Sequence, residues 1–177
     1  ESAVEIRAEG EGNLMYQVVS GYYQPWDKLA ELPAGEQTGE EAQIQVSYDR
    51  AELAVDDTVT VSVRAALTQD GALAEQALLD LGLPPGFTLV SEDLDGVVAR
   101  FNDVAPEYAG PRVQRYELTG RQILVYVTNL GADQPLEFSF RLRAKYPLRV
   151  QAPASSAYDY YNPSKRAESA PVVLVVK

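Results

Sequence analysis

The chain alternates apolar and polar residues along much of its length and abandons that rhythm once, within Ser91–Asn102, where Leu94, Val97, Val98 and Phe101 recur at i, i+3, i+4 and i+7. This change of period is the strongest constraint on the fold: it predicts one short amphipathic helix in a protein otherwise made of strands. Just before it, Leu79, Leu81 and Leu83 alternate as a strand does, and Pro84-Pro85-Gly86 stops that strand. Ser91 is placed to cap the helix. Glu92 and Asp93 fall in its first turn, where carboxylates favour the helix dipole, and Pro106 marks a stop. Gly96 weakens such a helix by about 1 kcal/mol relative to Ala, and a helix this short is marginal alone. Its Leu94/Val97/Val98/Phe101 face must therefore pack on a sheet.

The strands follow from period-two patterning. Ile44, Val46 and Tyr48 form one buried face and Val59, Val61 and Val63 the next, with the acidic Asp56-Asp57 turn between them. Gln69-Asp70-Gly71 is a turn signal, and the helix-forming composition of 72–77 leaves that segment open, although it must lead into a strand at 78–83. Beyond the helix, 112–118, 122–128 and 136–143 read as strands whose simplest connection is an antiparallel meander. Leu136, Phe138, Phe140 and Leu142 share a face, whereas 123–127 is apolar on both and so central. Pro147 and Pro153 bracket Leu148-Arg149-Val150, 156–161 reads as a strand running into the Asn162-Pro163 turn, and 172–176 is a last strand. The fold class expected is mainly β: an antiparallel β-sandwich with one short α-helix, spanning 42–177. Upstream, 1–26 holds two strand pieces around Gly10-Glu11-Gly12-Asn13, and 27–41, rich in Glu, Gly and Pro, reads as a linker. An unpaired strand edge in 4–19 would favour pairing with another chain.

Charge and residue usage exclude several function classes. A net charge of −11, with the 15 Lys and Arg nowhere gathered into a run, argues against nucleic acid and anionic lipid. No apolar run approaches the roughly 20 residues of a membrane span, so insertion by this segment is not expected. The first residues carry no basic or apolar leader, as in a processed protein or a piece of a larger one. With neither His nor Cys, no Ser-His-Asp or Cys-His triad, disulfide or usual zinc site can form. Paired carboxylates of a glycosidase are available in number, but none sits in a context that raises its pKa, so no catalytic residue, metal or cofactor is assigned.

Three pieces in order, GEGNLMYQVVSGYY at 10–23, LLDLGLPPGF at 78–87 and ILVYV…SAYDYYNP across 123–163, resemble the C-terminal part of the α2-macroglobulin and complement C3/C5 superfamily. The first is similar to the closing strand of that family's CUB domain. The others are similar to its receptor-binding domain, a β-sandwich with one helix, finished by a strand bearing Tyr-Asp-Tyr-Tyr. The resemblance implies a terminal, non-catalytic domain of a secreted or cell-envelope protease inhibitor, in which a bait segment is cut and a thioester often couples to the protease. The thioester's Cys and Gln belong to a separate domain, and this chain holds neither a Cys nor a bait region. The absence of Cys points towards a bacterial member, in the periplasm or at the cell surface. The partners implied are other domains of the same chain and, through the whole molecule, target proteases.

In animal members, lysines on the helix meet an endocytic receptor. Here Ser91 and Asp95 fall at about those places, beside Glu92 and Asp93, so that receptor is not expected to bind, and a solvated helix face is the plainer reading. Tyr158, Tyr160 and Tyr161 could make an aromatic platform, although strand alternation favours packing of some of these rings. Asp56/Asp57 and Glu92/Asp93/Asp95 lack the alternating ligands and glycine of a Ca²⁺ loop. Tyr22, Tyr23 and Trp26 keep a second class open, a carbohydrate-binding or adhesive module, against the alternative that they pack between domains.

Overall fold

In the computed structural model, which describes residues 41–105, 107–163 and 165–177, the alternating stretches form strands and the 3.6-period stretch forms a helix. The hairpin of 1–26, Tyr22, Tyr23, Trp26 and all of the 27–41 linker except Glu41 lie outside the described residues. Strands numbered along the chain make three sheets. The first has the order β1 (Ala42–Tyr48), β3 (Thr58–Leu67), β8 (Leu136–Ala144), β5 (Phe87–Leu89). The second has the order β11 (Arg166–Ser169), β10 (Ser155–Asp159), β4 (Leu73–Gly82), β7 (Gln122–Gly131), β6 (Arg112–Leu118). A small third sheet joins β2 (Glu52–Leu53), β12 (Val173–Val176) and β9 (Leu148–Gln151), and its β2–β12 contact is parallel where every other pairing is antiparallel.

The period-two faces meet in the core. Val59, Val61 and Val63 of β3 and Leu136, Phe138, Phe140 and Leu142 of β8 are buried in one layer. Leu79 and Leu81 of β4 and Ile123, Val125 and Val127 of β7 are buried in the other. The 123–127 stretch lies between β4 and β6, inside its sheet as its composition suggests. The open segment 72–77 resolves into β4, a strand of ten residues, because its partner β7 pairs with it from Leu73 onwards.

The meander is a correction. β6 and β7 pair, but β8 crosses to the other sheet and pairs with β3 and β5, burying its apolar face opposite β7 instead of beside it. Pro84-Pro85-Gly86 makes a second crossing, from β4 in one sheet to β5 in the other. Gly86 has φ +81, a backbone conformation that selects glycine, and a Cβ there would fall 2.2 Å from Leu148 Cδ2, so that side chain would also have to shift. The strand expected at 156–161 stops at Asp159, whose Oδ1 accepts from the N–H groups of Tyr161 (2.9 Å) and Asn162 (3.2 Å) and turns the chain out of the sheet.

The helix, α1 (Ser91–Asn102), has the limits its periodicity predicts. Its start differs: Val90 is the N-cap, no side chain caps it, and Ser91 is the first helical residue. The capping role passes to tertiary bonds, since Val90 N–H donates to Arg141 O of β8 (3.0 Å). Leu94 and Val97 are buried, whereas Val98 and Phe101 are half-buried against the core, so the packed stripe is narrower than expected. The helix lies along β6 and β8 and so closes the edge between the two large sheets.

Candidate functional site

The acidic side of α1 is engaged where sequence reasoning makes it solvated. Asp93 takes a bidentate ion pair from Arg141 of β8 (Nε to Oδ2 2.8 Å, Nη2 to Oδ1 2.8 Å), and its Oδ2 also accepts from the Arg141 backbone N–H at 2.9 Å. The hydrogen bond from the guanidinium is the main cause that holds the Asp93 carboxyl below its usual range. Asp95 accepts from the Tyr116 hydroxyl of β6 at 2.8 Å. Burial first, and then that bond, push the Tyr116 hydroxyl above its usual range. One helix turn is thereby fastened to both sheets. Glu92 stays exposed, and Ser91 is half-buried beside Tyr116. With Asp93 and Asp95 committed to different strands, the acidic residues do not converge, and among the described residues no three His, Cys, Asp or Glu side chains are grouped to hold a metal.

The tyrosines divide. Tyr158 lies on β10 and is half-buried, packed in a cross-strand row with Leu78 of β4, which pairs in turn with Tyr126 of β7. Arg166 lies 5.9 Å over the Tyr158 ring and Arg115 3.8 Å over the Tyr126 ring, so charged groups close both ends of the row. Tyr160 and Tyr161, past the end of the strand, are 52% and 72% exposed, so of the three rings of which some are expected to pack only Tyr158 does. Their rings meet edge to face (5.5 Å, 86°), so they form a ridge and not the flat platform on which a sugar stacks. Tyr160 N–H donates to Gln76 O of β4 (3.0 Å), and Leu73, at the start of β4, is 58% exposed near the same end of the sheet. The helix that carries the acids lies along β6 and β8 and the tyrosine loop follows β10, with β4 and β7 between β6 and β10, so the structure separates these two candidate groups. Arg141, Tyr116 and Leu73 escaped sequence reasoning, since nothing near them in the chain marks a partner.

One further carboxylate is perturbed. Asp80 of β4 accepts from Gln122 Nε2 (2.7 Å) through Oδ2, while its Oδ1 is buried without a partner, and burial raises its pKa against the opposing pull of Arg166. A carboxyl that holds its proton more tightly folded than unfolded costs the fold stability as pH rises through the carboxylate range, and that cost persists at neutral pH. Asp80→Asn is expected to raise the melting temperature at neutral pH, with the gain vanishing below the carboxylate range. A loss at neutral pH in thermal melts would contradict this. The hydroxyl of Tyr48, half-buried at the end of β1, is likewise pushed up to about 12 by desolvation and stays protonated. A shallow groove of about 380 Å³ over the outer face of the first sheet is lined by polar side chains such as Ser62, Arg64, Glu137 and Ser139. Glu137 in it is ion-paired with Arg64.

Residues 73–170, more than half of the chain, match the model of the A-macroglobulin receptor binding domain. No curated protein matches. Among solved structures, native alpha-2-macroglobulin from Escherichia coli, in a structure spanning domain MG7 to the C-terminus, matches with a TM-score of 0.64 at 20% identity, covering 82% of this chain and 25% of that one. Salmonella alpha-2-macroglobulin reacted with methylamine gives 0.63 at 17% identity (82% and 10%). The Escherichia coli protein activated by porcine elastase gives 0.60 at 19% (82% and 14%). This chain thus spans a quarter or less of the length of those relatives. At these identities the structural likeness concerns the fold alone, antiparallel sheets with one helix. Together with the match over 73–170 it shows that the chain belongs to the family of α2-macroglobulin receptor-binding domains.

Proposed function

We propose that this domain acts by position, without chemistry of its own, within a protease-trapping inhibitor of the α2-macroglobulin type, docking on other domains of the same larger chain through the Tyr160–Tyr161 ridge. The observation that carries the reading is the exposure of two adjacent tyrosines on a loop held by backbone hydrogen bonds: Asp159 N–H donates to Lys165 O and Tyr160 N–H to Gln76 O. Rigid, exposed tyrosines give contact area at little entropic cost and are enriched among residues that dominate interfaces. The fold matches relatives described both as native and as activated by elastase, which supports a body that moves as a unit when the inhibitor is triggered. Target proteases are partners of the whole molecule only. The setting is extracytoplasmic, in the periplasm or at the cell surface, and among the described residues no helix is long and apolar enough to cross a membrane. Residues 1–26 are assigned to the end of a neighbouring CUB-like domain and 27–41 to the linker between them. Asp93 is ion-paired and Asp95 takes the Tyr116 hydroxyl, so the Ser91–Asp95 stretch of the helix offers no cationic anchor of the kind an animal endocytic receptor reads.

Hydrogen exchange compares the full-length inhibitor with the 177-residue chain alone. The amides of Tyr160, Tyr161 and Asn162 are expected to exchange more slowly in the full-length protein and to lose that protection once a protease cuts it. Equal exchange in all three samples refutes docking through this loop.

A further inference from the structure

The loop that carries the two tyrosines is also bound to the place where the chain comes into the sandwich. Glu41 immediately precedes β1 of the first sheet, and Lys165 closes the loop just before β11 of the second. Lys165 Nζ lies 3.0 Å from Glu41 Oε2, and that oxygen is buried with no hydrogen-bond partner, which leaves the ammonium as its counter-charge. Both residues are fixed by their backbones. Glu41 O accepts from Thr68 N–H (3.1 Å) beyond the end of β3. Lys165 N–H donates to Asn162 O (2.9 Å), and Lys165 O accepts from Asp159 N–H (3.2 Å). The pair therefore spans the gap between the two large sheets on the side where β1 runs beside β11 and β10, opposite the edge that α1 closes.

We infer that the Glu41–Lys165 pair ties the incoming chain to the tyrosine loop, and that Lys165 and Glu41 are positioning residues for the docking ridge. Its consequence for docking rests on the function proposed above, but the tie itself does not. A carboxylate oxygen shielded from water depends on its partner more than a solvated one, because losing the ammonium leaves a desolvated charge. Displacement of the chain before Ala42 reaches Glu41 first, and through the ion pair it reaches the loop. Coupling of this kind is reciprocal: whatever holds the loop holds the incoming chain equally.

Reciprocity is what the test reads, by amide exchange on the 177-residue chain. Glu41→Gln is expected to speed exchange at Tyr160 and Lys165, and Lys165→Gln to speed it at Thr68, each by roughly two- to fivefold, the scale of a partly exposed ion pair. The charge swap of Glu41→Lys with Lys165→Glu should restore both sets, which a merely packed contact would not do. Changes confined to each variant's own side, no change at all, or failure of the swap to restore protection overturns the tie. The docking reading is separated by Tyr160→Ala with Tyr161→Ala in the full-length inhibitor. Undiminished interdomain protection there, with reciprocal exchange intact, removes the docking and leaves the tie.

Discussion

Leu94→Ala is expected to lower the unfolding free energy by about 2–5 kcal/mol, while Phe101→Ala, the loss of a larger side chain from the same helix face, should cost only roughly 1–2 kcal/mol. The order follows from burial and not from size. Leu94 is 1% exposed, wedged where α1 lies on β6 and β8, and its removal leaves a cavity between elements that are each held by their own hydrogen bonds and relax little. Phe101 sits one residue from the end of the helix, only half-buried, with the Arg100 guanidinium 4.8 Å from its ring centroid. Much of its surface is already in water or beneath a movable side chain, so less is lost. Urea denaturation of the two variants with unchanged m-values decides the matter. A larger loss for Phe101→Ala would mean that the ring, and not Leu94, anchors the helix.

The second large effect is expected at Gly82, where a single added methyl group meets backbone. A Cβ at this position would lie 2.3 Å from Pro153 O and 2.8 Å from its carbonyl carbon, and neither atom can step aside as the end of a side chain can. Gly82 is also held from two directions, by pairing with Gln122 of β7 and by donation of its N–H to Ser155 Oγ at 3.0 Å. Gly82→Ala should therefore cost at least about 1–3 kcal/mol, the scale of overpacking, as β4 and the Pro153 segment are forced apart. Gly96→Ala is the control. Nothing lies within 4 Å of a Cβ there, the residue is interior to a helix, and the substitution should stabilise by about 1 kcal/mol. Thermal melts that move both variants in the same direction would show that close backbone approach is not what selects glycine at Gly82.

What could be read from the residues divides along a physical line. Patterns that repeat within a few residues are local, so the limits of α1, the buried faces of β3 and β8 and the interior place of β7 were all legible. Alternation tells which face of a strand is buried but not which strand lies beside it, and so β8 was joined to β7 when it pairs with β3 and β5. The ion pair of Asp93 with Arg141 is hidden for the same reason: the two meet only after β8 has changed sheets. Short elements such as β2, β5 and β11 have too few residues to show a period. At the tyrosines the Asn162-Pro163 turn was legible, but Asp159 was not seen to start it. That turn separates the two exposed rings, Tyr160 and Tyr161, from the half-buried ring of Tyr158.

The crossings between sheets also set when this domain can fold. β3 waits for β8, and β4, made early, waits for both β7 and β10. The five-stranded sheet lacks an edge until Arg166–Ser169 has been made, and the small sheet lacks its middle strand until Val173–Val176 follows. During synthesis, β3 has only β1 beside it and β4 has no sheet partner while the intervening chain is added, and pairings so distant along the chain close slowly. The domain is assembled late, and a chain stalled or cut shortly before β7 leaves β3 without β8 and β4 without either of its neighbours.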